Sequence, residues 1–169
     1  MRLRFTLAAA AFTAAGASAQ IATPDPEWRE QDVPPPPALQ TQGLVDVQVG
    51  TGPSDLRFGI DPKSVSVGRD GVVRYVIVAA SPSGAINASY EGLRCDRGEY
   101  RVYARNSGQA WRTVTSEWRS LFDGMEARRA LAVARGGACH GRTPNDSPAQ
   151  IVKDLATPQG QKFGGWSTR

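Results

Sequence analysis

The stretch GRDGVVRYVIVAASPSGAINASYEGLRC, residues 68–95, decides the fold of this chain. After the turn dipeptide Asp70-Gly71, residues 72–80 form an almost unbroken run of apolar and β-branched side chains. Strand periodicity divides this run between two faces, one with Val72, Arg74, Val76 and Val78 and the other with Val73, Tyr75 and Ile77. Because both faces are mostly apolar, both must be covered, so the pattern predicts the central strand of a sheet.

The neighbouring segments predict further strands joined by short turns. Before the run come LVDVQV (44–49), LRFGI (56–60) and a short arm at 64–67; after it come AINASYEGLRC (85–95) and EYRVYAR (99–105). In the last of these, alternation places Tyr100, Val102 and Ala104 on the face opposite Arg101, Tyr103 and Arg105. Short connections between consecutive strands favour an antiparallel meander.

After Trp111 the apolar period becomes helical. The segment DGMEARRALAVARGG predicts a helix from about Met125 to Arg135, with Gly136 as its stop. A second helix is indicated by Ser147 as N-cap and Pro148 at the first helical position. We therefore expect a single α+β domain over residues 44–157, with an antiparallel β-sheet, one or two C-terminal helices, and a tail at 158–169.

The N-terminus has the pattern of a secretory signal peptide. Arg2 and Arg4 precede an apolar run at 5–15, and small residues end at Ala19 before Gln20. The run is shorter than the roughly 18 residues that span a bilayer, and no later segment is apolar enough. We expect cleavage after Ala19, a mature chain without a transmembrane segment, and the periplasm as its location, although retention of the uncleaved segment as an anchor stays open.

Residues 20–43 are rich in proline, which predicts an extended, polyproline-like arm rather than a helix or strand. Trp28 and Leu39 flank the run PPPP at 34–37 and are costly to leave in water. We therefore expect the arm to lie along the domain with Trp28 docked. A free linker, or a ligand for a proline-reading module, is the alternative.

The two cysteines, Cys95 and Cys139, are predicted to form a disulfide, because an even pair in an exported chain is more often joined than free. The bridge would close a loop of 43 intervening residues. In the chain-entropy model, closing such a loop stabilises the folded state by roughly 4 kcal/mol. It would join the end of a long strand to the loop after the first helix.

The sequence points to no catalytic residue, cofactor or metal. The only histidine, His140, follows Cys139 without the spacing of a haem or zinc motif, and there is no G-x-S-x-G elbow or phosphate loop. Glu91, Asp96 and Glu99 lie among arginines, which favours cross-strand ion pairs over general-acid chemistry. A periplasmic hydrolase whose site is assembled from residues distant in sequence is the alternative.

Binding is the function class that the composition favours. The formal net charge of +4 is spread over mixed arginines and acids, which argues against nucleic acid as a partner. Arginine and aromatic side chains are enriched at recognition surfaces. They supply the candidate recognition surface: Arg74, Tyr90, Arg94, Trp111 and Trp118. The alternative, which the residue types favour, is that these side chains are ordinary core and rim residues of a small domain. We expect a binding or envelope-accessory module whose partner is an unidentified envelope protein or small ligand.

The stretch SVSVGRDGVVRYVIVAASPSGAINASYEGLRC, followed by EYRVYA, AWRTVTSEWR and Cys139, resembles the cryptic neisserial protein-like family of exported bacterial proteins. Upstream, EWRE and the proline run are similar to that family's N-terminal arm. The likeness covers roughly residues 28–139, and departs from the family around FDGMEARRALAVAR and beyond His140. The resemblance implies export and the pairing of the two cysteines, and it implies no activity or cofactor.

The first prediction is that the exported protein begins at Gln20, because the small residues Ala17 and Ala19 fit the pattern that signal peptidase cleaves. Intact-mass analysis of protein recovered from the periplasm measures this directly. A recovered chain that still begins at Met1 would contradict it.

Overall fold

A computed structural model describes residues 27–50 and 55–157. The predicted signal peptide, the first residues of the arm and the predicted tail at 158–169 lie outside the described residues. No helix in the described ranges is long and apolar enough to cross a membrane.

The described part of the chain forms an eight-stranded antiparallel sheet, and the expected α+β class is confirmed. Its strands are β1 Val45–Val47, β2 Arg57–Ile60, β3 Ser66–Val67, β4 Val72–Ala80, β5 Ile86–Arg94, β6 Glu99–Asn106, β7 Arg112–Thr113 and β8 Arg119–Ser120. The order across the sheet is β1-β2-β4-β5-β6-β7, with β3 also paired to β4 and β8 to β6. The strand predicted to be central, β4, has β5 along its whole length on one side and β2 and β3 on the other.

Two helices follow the sheet, α1 Gly124–Val133 and α2 Pro148–Ala156. Between them lie a wide helical turn, Ala134–Ala138, and a small hairpin of β9 Cys139–His140 and β10 Thr143–Pro144. The predicted cap of α2 is confirmed, because the Ser147 hydroxyl accepts a hydrogen bond from the Gln150 amide at 3.1 Å.

The predicted stop of the first helix at Gly136 is wrong by two residues. The wide turn continues to Ala138 and contains Gly137 at a φ of 147°, where side-chain-bearing residues are strained. A Cβ at Gly137 would lie 2.5 Å from the Cβ of Asp154 in α2. Gly137 therefore lets the chain leave α1 while its backbone packs closely against α2.

The strand predicted at 64–67 is shorter than expected, because Pro62–Ser64 forms a single helical turn. The Ser64 hydroxyl donates to the Asp61 carbonyl at 2.6 Å and accepts from the Val76 amide at 2.8 Å. Ser64 thus links the turn to β4 through its side chain instead of through strand pairing.

The alternation predicted for β6 is wrong at Ala104. A bulge opposite Tyr90 and Glu91 inserts Tyr103 into β6, since Tyr90 pairs with Ala104 and Glu91 with Val102. Tyr103 and Ala104 therefore both pack in the same apolar cluster, whereas Val102 packs in the other.

The two apolar clusters lie on opposite faces of the sheet. On one face Val73, Tyr75 and Ile77 of β4 pack with α1 and α2. On the other face Val76 and Val78 pack with Tyr90, Tyr103 and the arm. The two faces predicted for β4 are confirmed, and each is covered by a different part of the chain.

The predicted disulfide between Cys95 and Cys139 is present, with its Cα atoms 5.6 Å apart. Cys95 directly follows β5, and Cys139 directly follows the wide turn after α1. The bridge therefore ties the end of a central strand to the segment between the two helices, as expected.

Replacing both cysteines by serine should lower the melting temperature by roughly 10 °C. Without the cross-link the unfolded chain gains conformational entropy, and the free energy of unfolding falls by about 2–4 kcal/mol. The sheet keeps both apolar clusters, so the circular-dichroism spectrum should remain that of the wild type. Thermal unfolding of both proteins under non-reducing conditions measures the shift. Equal melting temperatures, or two free thiols in the denatured wild type, would contradict the prediction.

Candidate functional site

The arm lies along one face of the sheet, so the predicted docking of Trp28 is confirmed. Trp28 donates its indole N–H to the main-chain oxygen of Asp70 at 2.8 Å. The guanidinium of Arg94 lies 3.5 Å from the centre of the Trp28 ring, and Trp118 meets the same ring edge-on at 6.0 Å. Trp28 is thus held by a hydrogen bond, a cation–π contact and an aromatic contact at once.

Glu30 is the ionic anchor of the arm. Its carboxylate accepts hydrogen bonds from Arg101 at 2.8 Å, from Arg74 at 3.4 Å and from the Tyr103 hydroxyl. The side chain of Glu30 is only 13% exposed and that of Arg74 only 4%. Burial, reinforced by Glu30, raises the pKa of Tyr103 far above its usual value, so the hydroxyl stays a donor.

Asp70, in the turn before β4, holds the arm from the sheet side. Its carboxylate accepts from Arg74 at 2.7 Å and from the Gln31 amide at 3.0 Å. Burial raises the pKa of Asp70, but hydrogen bonds from Arg74, Gln31 and Val72 outweigh it, so the pKa lies below the usual value. The carboxylate therefore stabilises the docked arm at neutral pH, and this stabilisation is lost as the pH falls through the lowered pKa.

The proline run lies beside aromatic side chains farther along the same face. Trp111 donates its indole N–H to the Pro37 carbonyl at 2.8 Å. Val33 and Leu39 of the arm pack against the cluster that contains Tyr90 and Tyr103. Trp111 thus anchors the end of the proline run as Trp28 anchors the segment before it.

All five residues of the predicted recognition surface lie on this arm-covered face. Arg74 binds Glu30 and Asp70, Arg94 lies over Trp28, Tyr90 packs on Tyr103, and Trp111 and Trp118 contact the arm. They recognise the chain's own N-terminal segment, and their binding of any other molecule stays a prediction.

Sequence reasoning missed Glu30 and Asp70 as members of this face, whereas it placed Tyr103 on one face of its strand with Arg101 and Arg105. The motif EWRE and the register of β6 carried some signal, since Glu30 follows the docked Trp28 and Tyr103 alternates with Arg101 and Arg105.

A second buried charge lies on the helix face. Glu91 of β5 is fully buried and accepts from the Tyr75 hydroxyl at 3.0 Å and from Arg129 of α1 at 2.8 Å. Burial, and next to it the charge of Glu91, raises the pKa of Tyr75 well above its usual value. The cross-strand pairing expected for Glu91 is wrong, because its arginine partner comes from the helix instead of the neighbouring strand.

An open groove of about 720 Å³ lies beside the disulfide, on the outer side of α1. Its apolar lining comes from Leu121, Phe122, Leu131, Ala134 and the Cys95–Cys139 bridge, and its polar lining from Asp96, Arg97, Arg135 and Arg142. Phe122 is 70% exposed, the most exposed large apolar side chain in the described ranges. This groove could not be predicted from the sequence, because its walls come from four separate segments.

The remaining polar candidates are placed as follows. His140 is exposed and lies in β9 next to the disulfide. In residues 27–50 and 55–157, no group of three histidine, cysteine or acidic side chains converges in a way that could hold a metal ion.

Glutamine in place of Glu30 should free the arm, because two buried or half-buried arginines then lose their carboxylate partner. We expect a loss of about 1–3 kcal/mol in unfolding free energy and rapid proteolytic cutting within residues 28–40, a segment that stays uncut in the wild type. Limited proteolysis with mass spectrometry and denaturant unfolding measure both effects.

The matched control is Asp32→Asn, which removes the same charge from an exposed position in the same arm. Its arm should remain as resistant as that of the wild type. Equal cutting of the two variants, or no change in either, would show that Glu30 is not the anchor.

Comparison with known proteins gives a family and no characterised relative. No curated protein and no solved structure matches the chain. The model of the CNP1-like family matches residues 23–156. This range includes the described arm, the sheet and both helices. The chain therefore belongs to the CNP1-like family.

Proposed function

We propose that this chain is a periplasmic binding module, an accessory protein of the bacterial envelope that holds a small ligand without catalysing a reaction. The observation that carries the proposal is the groove beside the disulfide. Its volume of about 720 Å³ lies within the range of small-molecule sites, roughly 300–1,000 Å³. A mainly apolar lining with a few charged groups at its edge is also typical of such sites.

The construction of the groove supports a binding role. Cys95 and Cys139 are covalently joined, and Ala134 is buried in the helical turn that continues α1. Walls of this kind are formed before a ligand arrives, so little conformational entropy is lost on binding. The groove also lies away from the arm-covered face, so the arm does not compete for it.

Export is supported by two independent features. The N-terminal residues have the pattern of a cleaved signal peptide, and disulfides persist in oxidising compartments such as the periplasm. The resemblance of residues 28–139 to the cryptic neisserial protein-like family also supports export.

The buried charges of the sheet favour binding over the hydrolase alternative. Glu30 is engaged by two arginines and a tyrosine, and Glu91 is engaged by Arg129 and Tyr75. Each carboxylate is thus occupied by hydrogen bonds within the fold, whereas a general acid or base must lie within hydrogen-bond reach of a substrate. These groups stabilise the fold by joining arm and helix to the sheet.

The proposal predicts saturable binding of a neutral, environment-sensitive naphthylamine dye to the purified protein. Phe122→Ser should weaken the affinity about tenfold, because it removes an apolar wall of the groove worth roughly 1–2 kcal/mol. Phe122 is largely exposed, so this change should leave the melting temperature nearly unaltered. Fluorescence titration measures the affinity.

Met125→Ser is the matched control, since Met125 is 64% exposed, lies three residues away and lines a different opening. Its affinity for the dye should equal that of the wild type. Absence of saturable binding, or equal losses in the two variants, would refute a binding site in the groove.

A further inference from the structure

We propose that the ligand of this groove is a free long-chain fatty acid, with its carboxylate on the arginine edge and its hydrocarbon chain on the apolar wall. This inference rests on the proposed binding function and names the class of ligand. Four properties of the groove carry it: its charge, its apolar surface, its volume and the kind of polar groups along it.

The charge of the groove is an excess of cations. Arg97 and Arg135 are exposed, and their guanidinium groups make no hydrogen bond or ion pair with any residue in the described part of the chain. Arg142 donates to the main-chain oxygen of Asp96 at 2.9 Å, a neutral partner. The one acidic residue of the lining is Asp96. Its carboxylate lies 3.5 Å from the guanidinium of Arg94, a residue that does not line the groove. The edge therefore offers cations to an anionic ligand.

The apolar surface of the groove has a buried floor and an accessible wall. Leu121 and Ala134 are nearly buried and form the floor with the disulfide, whereas Phe122 and Leu131 remain accessible. Leaving Phe122 in water is unfavourable, and a hydrocarbon chain laid against it would remove apolar area from solvent at about 25 cal/mol per Å².

The volume fits one hydrocarbon chain. At roughly 30 Å³ for a group the size of a water molecule, 720 Å³ holds about two dozen such groups. A methylene group is of similar size, so the volume suits one long acyl chain with its carboxylate better than the two chains of a phospholipid.

The polar lining favours a carboxylate over a larger head group. The side chains along the groove include no serine, threonine, asparagine, glutamine or tyrosine. A glycerol or sugar head group would thus find no neutral side chain to donate or accept hydrogen bonds. A carboxylate needs only the planar N–H donors of arginine, which match it two at a time.

The test titrates the full-length mature protein with palmitate, below the concentration at which it forms micelles, and measures displacement of the neutral dye. Palmitate should displace the dye, while hexadecanol and hexadecyltrimethylammonium should do so at least about tenfold more weakly. Arg135→Gln should lower the affinity for palmitate about tenfold, because it removes a charged hydrogen-bond donor. The same change should leave the affinity for the neutral dye unchanged.

Arg128→Gln is the matched control, because Arg128 is an exposed arginine of α1 that lines other openings and not this groove. Its palmitate affinity should equal that of the wild type. Dye binding without displacement by palmitate, equal losses in both arginine variants, or tighter binding of a lysophospholipid than of palmitate would overturn the fatty-acid assignment and leave the binding function intact. No dye binding at all would overturn the proposed function itself.

Discussion

Burial of both faces of β4 is the constraint on which the rest of the structure depends. Val73, Tyr75 and Ile77 lie under the two helices, and Val76 and Val78 lie under the arm. A single sheet with two apolar faces is stable only when both are covered. The proline-rich arm therefore forms the second layer of the domain, and the ion pairs of Glu30 determine where this layer lies.

The buried charges on the two faces of the sheet are arranged in the same way. Each face has one carboxylate that bridges a tyrosine of the sheet and an arginine, Glu30 on the arm side and Glu91 on the helix side. On each face the charge joins the covering layer to the sheet. Removing one partner of such a pair is costly, because the other is left buried without compensation. These pairs thus fix the position of each layer, while the apolar contacts supply most of the stabilisation.

The parts of the fold that depend on local patterns could be predicted from the sequence. Alternation in residues 72–80 predicted the faces of β4, Ser147-Pro148 predicted the start of α2, and two cysteines in a chain expected to be exported predicted the disulfide. The bulge at Tyr103 could not be predicted, because it depends on pairing with β5. Arg101 and Glu30, 71 residues apart, meet only after folding. The groove could not be predicted either, because residues as distant in sequence as Arg97 and Arg142 line it. The arginine and aromatic residues that indicated recognition turned out to hold the chain's own arm.

A double-mutant cycle between Trp28 and Arg94 tests most directly whether the arm is an integral layer of the domain. The free energy of unfolding is measured for the wild type, Trp28→Ala, Arg94→Ala and the double variant. Because the guanidinium lies 3.5 Å from the ring centre, the account predicts a coupling energy of at least about 1 kcal/mol. Additive effects, within about 0.3–0.5 kcal/mol, would show that the arm does not pack on the sheet in solution and would contradict the account.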